Sequence, residues 1–123
     1  MVHPVTVLNW AYEHYLYYLC LSIADTDCVI SEADTTRIKK ELFPSVDSNR
    51  LQSLQREVYN EYLVHSEEER MEFISVNAAR FLRTPVIRTR VINHLEHLSG
   101  KEDENNPAWI MFRYIRKVIN TLK

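Results

Sequence analysis

Residues 24–34 read ADTDCVISEAD, and whether that run cradles a cation or opens a helix decides how the rest of the chain is divided. Ser31 and Asp34 form an S-x-x-D capping pattern. The spacing predicts a helix that opens at Ser31, carries Ile38 and Leu42 on its core face and ends at Pro44. Upstream, Leu8, Tyr12, Tyr15, Leu19 and Ile23 recur at steps of three and four, which predicts a first helix from about Val5 to Ala24. The acidic run is therefore, before anything else, a connection between two helices. As an EF-hand calcium loop starting at Asp25 it fails: Val29 stands at the fifth position, Ile30 in the glycine place and Thr36 where the bidentate glutamate belongs.

The same punctuation recurs downstream. A third helix is predicted to start near Ser48 and to bury Leu51, Leu54, Val58 and Tyr62. Ser66 with Glu69 repeats the capping signature for a fourth, whose apolar positions are Phe73 or Ile74, Ala78, Phe81 and Leu82. Thr84-Pro85 reads as an N-cap followed by proline at the first helical position, with Val91, Ile92, Leu95 and Leu98 as the stripe and Gly100 as the C-cap. Asn106-Pro107 repeats that logic for a sixth helix bearing Ile110, Phe112, Ile115, Ile119 and Leu122. A single glycine among 123 residues argues against hairpins, which draw on glycine for positive φ. The expectation is an all-α, single-domain bundle of about six helices over residues 1–123.

Composition narrows function mainly by exclusion. With 46% hydrophobic and 26% charged residues the chain has the make-up of a globular domain. A net charge of -2 gives no electrostatic footprint for nucleic acid. The apolar runs fall short of membrane-spanning length, and the first ten residues, MVHPVTVLNW, lack the basic and apolar regions of a leader, so a cytoplasmic setting is expected. Cys20 and Cys28 are too few for a disulfide framework and read as reduced thiols. No phosphate loop, H-E-x-x-H or nucleophile elbow is present, and the residues next to Cys28 are acids that would raise its pKa; the expectation is a non-enzyme.

Read as A-x-x-D-x-x-I-S-x-x-D, the residues Ala24, Asp27, Ile30, Ser31 and Asp34 sit between "YLYYLCLSIAD" and "TTRIKKEL". Over about residues 12–42 this resembles the tellurite-resistance TerB family, whose members carry a similar pattern at a helix junction. Cys28 stands where the family usually has glycine, and Asp34 where it usually has glutamate. The resemblance implies a non-catalytic helical domain of a tellurite, metal or oxidative stress response, with acidic clusters proposed to contact divalent metals. It also implies an alternative, since related domains occur as interaction modules in larger proteins, including a co-chaperone of DnaJ type.

Topology gives an independent expectation. If short connections make neighbouring helices antiparallel, one end of the bundle gathers Asp25, Asp27, Glu32 and Asp34 with Glu67, Glu68, Glu69, Glu102, Asp103 and Glu104. Asp25, Asp27, Asp34, Glu102 and Asp103 are the candidate ligands for a divalent cation, held on the order of 10⁻⁴ M or more weakly. His65, His94 and His97 lie near that end, and His94 with His97 would be the nitrogen donors for a transition metal. The opposite end holds Arg80, Arg83, Arg88 and Arg90, a candidate docking surface for an acidic protein partner. Both ends also have a plain reading, because acids in a first helical turn complement the macrodipole and charged runs are commonly solvated. The expected partners are other proteins, the expected state a monomer or weak homodimer.

Overall fold

The computed structural model describes residues 10–24, 39–40, 43, 46–100 and 103–122. Within them lie five helices: α1 (Tyr12–Ala24), α2 (Ser48–Val64), α3 (Glu67–Phe81), α4 (Pro85–Ser99) and α5 (Pro107–Asn120). The described residues hold no strand, so the chain is all-α over them. Lys39 and Lys40 are helical and Phe43 N–H donates to Lys39 O at 3.1 Å. The remainder of the helix predicted between Ser31 and Pro44 lies outside the described residues.

The caps show why the elements begin and end where they do. Asp47 accepts from Arg50 N–H at 2.9 Å to open α2. Ser66 and Glu69 form a reciprocal capping box at the head of α3. Thr84 accepts from Ile87 N–H ahead of Pro85, and Gly100 closes α4 at a φ of 77°. Asn106 serves two helices: its Oδ1 accepts from Ala108 N–H to open α5, while its Nδ2 donates to Ser99 O at the end of α4.

The first helix begins at Tyr12, not near Val5 as its apolar spacing suggested, because Trp10 and Ala11 are already outside it. His14 Nδ1 accepts from Ala11 N–H at 3.1 Å, the backward half of a capping box, so the helix has its start signal there. From Tyr15 to Ile23 every residue of α1 is buried. A helix apolar all round must be enclosed, and α1 packs against each of the other four helices.

The centre of that packing is aromatic. The Tyr18 ring lies 4.3 Å from Phe73 and 5.3 Å from Tyr62, centroid to centroid, and Trp10 meets Phe73 edge-on at 5.4 Å. The polar tips find partners: Tyr15 donates to Ile74 O at 2.7 Å, and the Tyr18 hydroxyl lies 2.8 Å from His65 Nδ1. His65, one of the three histidines expected near the acidic end, is buried here and not open to solvent. Ser22 and Asn77 satisfy themselves on the carbonyls one turn back, Tyr18 O and Phe73 O.

Two outcomes follow. Tyr18→Phe leaves His65 Nδ1 without its partner and is expected to destabilise by about 1–3 kcal/mol, read as a lower denaturant midpoint. Burial raises the phenols of Tyr15 and Tyr18, pushes Tyr17 up to about 12 from 10.0, and raises the Cys20 thiol. Raised acids favour the neutral form in the fold. Their contribution is complete below the unfolded values of 9.0 for Cys20 and 10.0 for tyrosine, and is lost as pH rises through the folded ones. Unfolding midpoints should hold steady up to about pH 9 and fall steeply by about pH 12.

Candidate functional site

At one end of the bundle the tail of α1, the tail of α2, the head of α3 and the head of α5 converge on a groove. Its volume is about 430 Å³, and its walls include Ser22, Tyr62, Glu67, Met71, Pro107 and Ile110. This lies in the usual range for a small binding cleft. Arg70 fixes one wall: its guanidinium stacks 3.8 Å over the Tyr62 ring, and its Nε–H donates to Tyr62 O at 3.1 Å. Tyr114 ties the other wall to α3 by donating to Met71 O at 3.0 Å.

The floor is apolar and reaches solvent. Ile110 is 43% exposed and Met71 37%, beside the half-buried Met111. Methionine fills irregular shapes because its unbranched chain and soft sulfur repack easily. Ile110 was expected in the core, and this is a second correction. On α5 the core arc is already filled by Trp109, Phe112, Ile115 and Ile119, which leaves Ile110, one residue on from Trp109, turned away.

The rim is acidic. Glu67 and Glu68 are exposed in the first turn of α3, where the macrodipole favours carboxylates. Asp103 and Glu104 are exposed just ahead of Pro107. Asp103 Oδ1 accepts from Asn105 N–H at 2.9 Å, so this acid organises the turn into α5. Of the other candidate cation ligands, Asp25, Asp27, Asp34 and Glu102 lie outside the described residues, as does Cys28. Among the described residues no three His, Cys, Asp or Glu side chains are grouped to hold a metal ion, and His94 and His97 belong to no such group. His65 Nε2 comes within 3.1 Å of Glu61 Oε1, but out of hydrogen-bonding alignment.

The arginines stand at the opposite end, and much of their work is structural. Arg83 Nε–H donates to Arg80 O at 3.1 Å and Arg88 Nε–H to Leu82 O at 2.8 Å, so two guanidiniums satisfy carbonyls at the tail of α3 that the helix leaves unpaired. Arg80 stacks over Phe81 at 4.7 Å. Arg90 is exposed and its charge opposes the upward shift that burial imposes on the Tyr12 phenol. A second hollow of about 400 Å³ lies here between Trp10, Tyr12, Phe81, Arg83 and Ile87. Comparison of the chain with family models, curated proteins and solved structures returns no match.

Capping by arginine makes the two basic positions separable. Arg88 is partly buried, so Arg88→Glu should lower the unfolding midpoint by about 1–2 kcal/mol, since it removes a charge-assisted bond to a helix-end carbonyl. Arg83 is exposed, and Arg83→Glu should leave the midpoint within about 0.5 kcal/mol of the parent. Equal losses at both positions would contradict the assignment.

Proposed function

We propose that the chain is a non-catalytic helical interaction module that docks a basic, amphipathic segment of a partner protein in the α3–α5 groove. The observation that carries this is the adaptable apolar floor, Met71, Ile110 and Met111, with Glu67 in the wall and Glu68 exposed next to it in the first turn of α3, against the single guanidinium of Arg70, which is stacked on Tyr62. Apolar side chains left at the surface beside a cleft favour an apolar ligand. The carboxylates select against acidic peptides and anionic lipid surfaces, and speed the approach of a cationic one. No helix of the described residues is long and apolar enough to cross a membrane.

This is the interaction reading that the TerB resemblance implies. The stress-response setting rests on the sequence of residues 12–42 alone, and a further helix between Ser31 and Pro44 on its capping pattern together with the helical Lys39 and Lys40. Cation binding would fall to Asp25, Asp27, Asp34 and Glu102 with Asp103, and a metal-induced thermal shift abolished by Asp27→Asn is its test.

A fluorescein-labelled peptide of leucine and lysine at helical spacing is expected to bind with a Kd of order 10 µM, about -7 kcal/mol. The leucine–glutamate counterpart should bind at least about tenfold more weakly. Ile110→Glu should weaken the cationic peptide about tenfold or more even though it adds negative charge, which separates groove docking from general attraction. Undiminished binding to that variant would overturn the proposal.

A further inference from the structure

The hollow at the arginine end differs from the groove in what its walls offer a ligand. Its charged residues are Arg80 and Arg83, and among the described residues its lining holds no carboxylate. Its apolar walls are largely aromatic, with Trp10, Tyr12 and Phe81 bordering it beside Ile87. A space of about 400 Å³ has room for a body of one or two rings.

Hydrogen-bonding capacity points the same way. Arg83 Nε–H donates to Arg80 O at 3.1 Å, which anchors the guanidinium through one of its five donors. Its two terminal nitrogens have no hydrogen-bond partner among the described residues. The neighbouring Leu82 carbonyl is already taken, since it receives Arg88 Nε–H at 2.8 Å. Two further donors belong to lining residues, the Trp10 indole N–H and the Tyr12 hydroxyl, and neither is bonded within the described residues. Burial raises the Tyr12 phenol above its ordinary value, so the hydroxyl keeps its proton at neutral pH. The charge that this phenol feels most strongly is the cation Arg90, ahead of the anion Glu13.

Donors without acceptors favour a ligand that brings acceptors, and cations without carboxylates favour one that is negative. Aromatic walls favour a flat apolar body, because ring pairs gain from offset and edge-on contact. An arginine fork matches a carboxylate in shape as well as in charge. We infer that the hollow is a binding site for a small aromatic carboxylate, its ring held among Trp10, Phe81 and Ile87 and its carboxylate on Arg83. The site shares no lining residue with the α3–α5 groove, so either reading stands or falls without the other.

The chain has two tryptophans, hence two indole N–H resonances in the isotope-labelled protein. Trp10 lies in the hollow and Trp109 on α5 outside it, so one reports binding and the other is the internal control. Naphthoate, titrated at about 0.15 M salt to screen distant charges, should shift the Trp10 resonance saturably with a Kd of order 1 mM. The Trp109 resonance should stay in place. Cyclohexanecarboxylate keeps the charge and loses the aromatic ring; naphthylmethylammonium keeps the rings and reverses the charge. Each should bind at least about tenfold more weakly than naphthoate. Arg83→Glu, expected above to leave stability nearly unchanged, should weaken naphthoate by at least about tenfold. Arg113→Glu makes the same change of charge at an exposed position on α5 and should leave the Kd within about twofold. No saturable shift at Trp10, equal losses in the two arginine variants, or equal binding of either control ligand would overturn the assignment.

Discussion

The structure depends on the need to enclose α1 on every side. Nine consecutive residues, Tyr15 to Ile23, are buried, and a helix that presents apolar atoms in all directions has no face to give to water. Four helices therefore surround it, and the three large rings of Tyr15, Tyr18 and Phe73 set how closely they approach. Buried tyrosines bring hydroxyls that need partners. The bonds from Tyr15 to the Ile74 carbonyl and between Tyr18 and His65 fix α1 against α3 and against the α2–α3 turn. Those bonds place the turn, and the turn places Tyr62 and Arg70 at the edge of the groove.

Enclosure of the middle leaves function to the ends. Helix heads and tails carry unpaired backbone groups, and the chain treats the two ends differently. At the groove end, carboxylates of Glu67, Glu68 and Glu69 answer the positive heads of helices. At the far end, Arg83 and Arg88 answer the carbonyls at the tail of α3. A charge separation along the bundle arises from ordinary capping, and what distinguishes the ends as binding surfaces is the apolar material beside those charges. Ile110 and Met71 supply it at the groove end.

Caps are the most readable feature of the sequence. Ser66 with Glu69, Thr84-Pro85, Gly100 and Asn106-Pro107 all act where their spacing suggests, because capping is a local interaction over three or four residues. The start of α1 falls later than its spacing suggests because an apolar period continues through Leu8, and periodicity alone does not reveal that His14 turns back to take the Ala11 amide. The groove is not readable. Its residues come from four helices, and the assignment of Ile110 to the core fails because a helix face is filled only up to the width of its neighbours, a tertiary quantity. The burial of His65 is hidden for the same reason: its partner, Tyr18, is 47 residues away. The acidic run at residues 24–34 lies outside the described residues, apart from Ala24 at the end of α1.

Residue-level hydrogen exchange, recorded with and without the leucine–lysine peptide, tests the claim that a rigid buried α1 supports a receptive groove at one end. The account predicts that amides of residues 15–23 exchange slowest in both conditions, at rates set by global unfolding. It also predicts that added protection is confined to residues 62–71 and 107–114. Early exchange of α1, or protection centred on the head of α4, would contradict it.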